Sequence, residues 1–242
     1  MTQAVSIAQS GNNNTTFRNR IINGAMMIDQ RNAGAAQTIT AGTTPYCLDR
    51  WIAYCTGSNV TTQQVASGVT GIPYVLQITG AASNTIAQVS QKIESKNIAD
   101  CAGSTVTFSA LLANSVLTTV AWAAYYANST DNFSGITFIA SGSFTVNSTL
   151  AQYSTQISLP ANAANGIQVI FYCVNQTSGT FKVGNVQLEK GSAATPFEQR
   201  LYGTELALCQ QTLVNLCECH YCCSSSAGIG VLPSASQARY CW

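Results

Sequence analysis

If this chain carries out chemistry, few residues are available for it. Its 242 residues include only nine carboxylates and ten lysines or arginines. Glycosidic cleavage needs two carboxylates flanking one bond. Glu94, Glu189, Glu198 and Glu205 lie in or beside the chain's most patterned stretches, where solvated ends and turn contacts are their plainer role. A Ser or Cys triad needs an imidazole, and the single histidine, His220, lies within Cys217-Glu218-Cys219-His220-Tyr221-Cys222-Cys223. Cys217, Cys219, His220 and Cys222 have the chemistry of zinc ligands. Structural zinc sites pair two separated knuckles, however, and this is one crowded run. Disulfides, including bridges to Cys241 or between subunits, and buried thiols therefore outrank a metal. Cys47, Cys55, Cys101 and Cys173 sit in apolar or strand-like contexts, where a free cysteine acts as a small hydrophobe. No acidic cluster offers enough oxygen ligands for calcium. The expectation is a non-enzymatic protein without a cofactor.

Binding chemistry is better supplied. A flat aromatic ring can stack on the apolar face of a sugar while amide side chains take its hydroxyls. Trp122, Tyr125 and Tyr126 stand together before Asn128, and Tyr54 follows Trp51 closely. In a strand, Trp122 and Tyr126 share one face and Tyr125 takes the other. Tyr125, Tyr54 and Asn128 are thus the candidate carbohydrate contacts, weighed against the reading that every ring is packing.

The elements that must hold these residues are short strands. Val106, Phe108, Ala110 and Leu112 alternate with Thr105, Thr107 and Ser109; Val120, Trp122, Ala124 and Tyr126 share a face, as do Tyr153, Thr155, Ile157 and Leu159. Both faces of 166–174 are apolar, which predicts a strand buried on two sides. Turn signals fall between them at Ala102-Gly103, Asn128 to Asn132, Ser141-Gly142, Asn165-Gly166 and Ser178-Gly179. Brief strands with regular turns signify an all-β sandwich or barrel. One segment, Thr204 to about Asn215, reads as helix, with Thr204 as its N-cap. The expected organisation is an extended N-terminal arm over 1–45, a sandwich over 46–197, and a short helix plus Cys-rich tail over 198–242.

Composition narrows the partners. Charged residues are 8% of the chain and the formal net charge is +1, which provides no field for nucleic acid or anionic lipid. The longest apolar run, Val116 to Tyr126, is too short and too interrupted to span a bilayer. The first ten residues have no basic n-region and no long apolar h-region, so no secretory signal is expected. Low charge does not mean disorder here, because 46% of residues are hydrophobic and 21 are aromatic, enough for a sizeable core.

Four stretches carry a resemblance. Arg18-Asn19-Arg20-Ile21-Ile22-Asn23-Gly24 with Ile28-Asp29-Gln30-Arg31, then Asp49-Arg50-Trp51, then Gln91-Lys92-Ile93-Glu94 with Ala102 to Ser109, occur in that order. The fourth and most specific is Val186-Gln187-Leu188-Glu189-Lys190-Gly191, Ala194-Thr195-Pro196-Phe197-Glu198 and Gly203 to Gln210. Together they resemble carbohydrate-binding-module-like domains (family 4/9 type) of phage tail-fibre and virion proteins. At Ser109-Ala110-Leu111-Leu112-Ala113 an aromatic common in that family is missing. The resemblance implies a jelly-roll sandwich on a bacteriophage virion, made in the host cytoplasm and released by lysis. It implies a structural protein of tail-fibre or receptor-binding type, its sandwich binding host surface glycans. The alternative is a capsid decoration (cement) protein. Expected partners are other virion proteins, met through the N-terminal arm, and further copies of the chain, a trimer first, because multivalency amplifies weak single-site binding.

Overall fold

The computed structural model describes residues 17–210. Twelve strands form two six-stranded antiparallel sheets. The first has the order β1 (Gln37–Ile39), β4 (Val60–Val69), β5 (Ile72–Thr79), β12 (Thr180–Lys190), β7 (Thr105–Asn114) and β10 (Ala151–Ser158). The second has the order β2 (Tyr46–Leu48), β3 (Trp51–Thr56), β6 (Ile86–Ile93), β11 (Ile167–Val174), β8 (Thr119–Ser129) and β9 (Asn132–Thr145). From β5 onward the chain repeatedly crosses between the sheets, which makes the sandwich a jelly roll.

The alternation that defines the strands also defines the core. Val106, Phe108, Ala110 and Leu112 of β7 face Val120, Trp122 and Ala124 of β8 and Ile167, Val169 and Phe171 of β11, all within one buried cluster. Phe108 stacks on Phe171 with centroids 4.7 Å apart and meets the edge of Trp122 at 6.5 Å. One ring of the first sheet thereby pins two of the second. Cys47, Cys55, Cys101 and Cys173 are free thiols in this core, as their sequence contexts imply. Burial pushes the Cys47 and Cys173 thiols up to about 12, so they stay neutral and inert at physiological pH.

The segment 17–45 is not an extended arm. Ile21, Met26 and Ile39 lie in the main core and Gln37–Ile39 pairs with β4. Polarity hides this from the sequence. Asn19 and Asn23 are buried because they satisfy backbone groups that no strand pairs, not because they face water. The expected boundaries at 45 and 197 therefore cut through one packed unit; residues 1–16 lie outside the described residues. The C-terminal helix spans 202–210 in the described residues, and the remainder of its expected length lies outside them. It starts ahead of Thr204, with Glu205 N–H donating to the Leu201 carbonyl at 3.0 Å. Cys209 on this helix packs with Ile22 and Ile28 in a second small core.

Candidate functional site

The motif residues are the ones whose types look most like chemistry. They meet at one end of the sandwich and hold each other. Asn19 Oδ1 accepts from Ile21 N and Leu188 N, both at 3.0 Å, and its Nδ2 donates to the Val186 carbonyl at 3.0 Å. Asn23 Nδ2 donates to the Ile28 and Asp49 carbonyls at 2.8 and 2.9 Å, and its Oδ1 accepts from Ile28 N at 2.9 Å. Gln91, fully buried, accepts from Ile22 N at 2.9 Å and donates to Ile22 O at 2.7 Å, doing the work of a neighbouring strand. The Gly24 carbonyl accepts from Val186 N–H at 2.9 Å, and a Cβ on Gly24 would overlap the Val186 oxygen. Only glycine allows this approach.

The four acids lie around this clasp, each with a cation. Glu189 is 1% exposed and takes Thr195 N at 2.8 Å, Thr195 Oγ1 at 2.6 Å and Arg18 Nε at 3.1 Å. Arg200 pairs with Glu205 at 3.3 Å and with Glu198 at 3.9 Å, and Arg50 pairs with Glu94 at 2.7 Å. Asp49-Arg50-Trp51 serves three places: Asp49 receives Gln30 N at 2.7 Å, Arg50 holds Glu94, and Trp51 Nε1 donates to Asn23 O at 3.0 Å. The chemistry of these residues is cohesion.

A different surface presents rings to solvent. Strand pairing places Tyr54, Gln88, Tyr172, Ala121 and Ser143 in one row across the outer face of the second sheet. The next row is Tyr46, Ile52, Ser90, Ile170, Ala123 and Ser141, and beyond it lie Lys92, Gln168, Tyr125 and Phe138. Tyr54, Tyr172 and Tyr125 are half-buried, and Ile52, Ser90, Ile170 and Ala123 of the middle row are buried. Tyr54 and Tyr172 stand two strands apart, about 10 Å. The Tyr125 ring meets Phe138 edge-on at 5.8 Å. At one end the face opens into a recess of about 510 Å³ lined by Tyr46, Ile52, Phe133, Arg50, Lys92, Glu94, Asp131 and Ser134. Arg31 lies over Tyr46 and Lys92 over Phe133.

No family model matches the chain, and no curated protein matches it in sequence. Solved structures do resemble its fold. One is the enzymatically active domain of bacteriophage CBA120 tailspike protein 4, at 16% identity and TM-score 0.46, covering 72% of this chain and 22% of that one. The match thus spans about a fifth of the length of that tailspike domain. A CBM4 module matches at 18% identity and TM-score 0.45, over 70% of this chain and 98% of its own. The CBM22-1–GH10 modules of Clostridium thermocellum xylanase 10B, complexed with xylohexaose, match at 14% and 0.41, over 61% and 27%. Likeness at this level carries no argument about function, which rests on the surfaces themselves.

Two of the three residues picked from the sequence, Tyr54 and Tyr125, share the outer face. Asn128 does not join them. Its Oδ1 accepts from Thr137 Oγ1 at 2.7 Å, and Thr137 is the cross-strand partner of Tyr126, on the opposite side from Tyr125. Tyr172 is the residue that sequence reasoning missed. The apolar look of 167–174 suggested burial on both sides, yet Val174 is 54% exposed and Gln168 and Tyr172 are half-open. The signal was its phase: Tyr172 alternates with Phe171 and Cys173, which face the core. Cys217, Cys219, His220 and Cys222 lie outside the described residues. Among the described residues no three His, Cys, Asp or Glu gather as metal ligands would.

Proposed function

We propose that this chain is a non-enzymatic glycan-binding protein of a bacteriophage particle, of tail-fibre or receptor-binding type, and that it binds through the outer face of its second sheet. The observation that carries the binding is the row Tyr54–Gln88–Tyr172, with Gln168 and Tyr125 beside it. Rings spaced along a rigid sheet accept the apolar faces of successive sugars, and the glutamines between them offer both donors and acceptors to hydroxyls. The face carries few charges: Lys92, Asp131 and the Arg50–Glu94 pair at the recess, and Arg31 over Tyr46. A neutral polysaccharide therefore suits it better than a nucleic acid or a lipid headgroup.

The non-catalytic reading is supported by the four acids, each committed to an ion pair. The virion setting is supported by the order and content of the sequence motifs across 18–210. The test is a glycan array with host-cell adsorption, run on the full chain. Tyr54→Ala and Tyr172→Ala each reduce binding about tenfold, equivalent to ~1.4 kcal/mol. Undiminished binding by the folded triple variant Tyr54→Ala/Tyr125→Ala/Tyr172→Ala overturns the site. Copy number per particle separates the two virion roles: a few dozen copies or fewer mark a fibre, and hundreds mark a capsid decoration.

A further inference from the structure

The outer face of the second sheet is open at one end and walled at the other. At the open end Thr56, Ile86 and Val174 form the row before Tyr54, and Val174 is 54% exposed. Neither that row nor the rows of Tyr54 and Ile52 contain a charged residue. At the other end, past Gln168 and Tyr125, come Gly166 and Ala127, joined by the Ala127 N–H to Gly166 carbonyl bond and both buried. The tip of the β8–β9 hairpin covers them. A Cβ on Gly166 would come 3.0 Å from Phe133 Cζ and 3.5 Å from Asp131 Oδ1. Three hydrogen bonds pin that tip. Asp131 N–H donates to the Asn165 carbonyl at 2.8 Å, and its carboxylate accepts from Ser95 N at 2.6 Å and Ser95 Oγ at 2.9 Å.

The recess lies against this wall, with the Tyr46 and Phe133 rings in its lining. Its volume of about 510 Å³ is that of a small-ligand site. Two cations and two carboxylates line it, Arg50 and Lys92 against Glu94 and Asp131, so it has no net charge. Glu94 remains 28% exposed while paired with Arg50, and the Lys92 ammonium sits 5.4 Å from the Phe133 ring centre. Such a lining suits a neutral polyol. Carboxylates accept from its hydroxyls, the cations donate to them, and the rings take its apolar faces. An internal sugar needs a way in and a way out, and the wall removes one direction. A terminal sugar needs one opening and carries a hydroxyl where an internal sugar carries a linkage. Glycans attach to surfaces through their reducing ends, so the free end is the non-reducing one. We propose that the recess takes the terminal, non-reducing sugar of a neutral glycan, so that the protein holds the chain by its end; this rests on the glycan-binding reading of the outer face.

The test is calorimetric titration of the full chain with unbranched mannan, galactan, glucan and xylan, each intact and after partial acid hydrolysis. Every cleavage creates one new non-reducing end. Binding sites per gram of polymer should therefore rise in proportion to the ends created. Sites per gram that stay level after cleavage overturn the end reading alone, since binding itself persists. Binding to none of the four polymers, whole or cut, overturns the outer-face reading as well. Borohydride reduction of the cut chains alters only their reducing ends and should leave affinity unchanged; lost affinity overturns the choice of the non-reducing end. Lys92→Met, which leaves the Phe133 wall standing, should weaken binding of the cut chains about tenfold. Undiminished binding by that variant overturns the recess as the site, and circular dichroism keeps misfolding apart from lost contacts.

Discussion

The molecule has two regions of polar and aromatic residues, and they behave oppositely. At the end where Asn19, Asn23, Gln91 and Glu189 meet, the polar side chains of the clasp are directed inward, the three amides at backbone groups and Glu189 at Thr195 and Arg18. On the outer face of the second sheet, Tyr54, Gln88, Gln168 and Tyr172 are directed outward, half-exposed on regular strands. The first region carries nearly all of the recognisable sequence motif. The second carries almost none. A specific motif can therefore record how a chain is closed rather than what it binds. A buried amide that must satisfy several backbone groups has no substitute, whereas a ring on an open face has many.

That contrast can be broken most forcefully at the clasp. Asn23→Ala leaves the Ile28 N–H and two carbonyls without partners, at a cost of about 3 kcal/mol or more by urea denaturation. Glycan affinity of the protein that remains folded should be unchanged. Glu189→Ala should cost about 2–3 kcal/mol, below the full figure for a buried pair because its partner Arg18 is 28% exposed. The open face should give the converse result. Tyr172→Ala should reduce glycan affinity about tenfold while moving stability by less than ~1 kcal/mol, and a large stability loss would return Tyr172 to the core. A smaller effect is expected with pH. Burial raises the Cys47, Cys173 and Cys209 thiols from 9.0 to about 12. The unfolded chain therefore loses these protons first, so their contribution to stability, complete below pH 9, should decline between pH 9 and 12. Stability that stays level across that window, measured by denaturation at each pH, would contradict their burial. The smallest effect belongs to Asn128→Ala, which should leave glycan binding unchanged, since its side chain bonds Thr137 on the far side of the hairpin.

Much of the sandwich was legible because period-two alternation is a local property. The core sets around Phe108, Trp122 and Ile157 follow from it directly. Tyr125 could be assigned to the outside by the same rule. Residues 17–45 were not legible, since a polar stretch buried through side-chain-to-backbone bonds has the composition of a linker. Nor was the grouping of Tyr54 with Tyr172. They are 118 positions apart in sequence and become neighbours only through the order β3, β6, β11.

The sequence by itself determined the strands, the two sheet faces of most of them, and the low overall charge. Tertiary structure decided which outward residues share a surface, and that the polar motif residues lock a closure instead of lining a site. The physical reason is range. Alternation is written residue by residue, but register between strands is set by the packing of the whole core, and only register brings distant rings into one row.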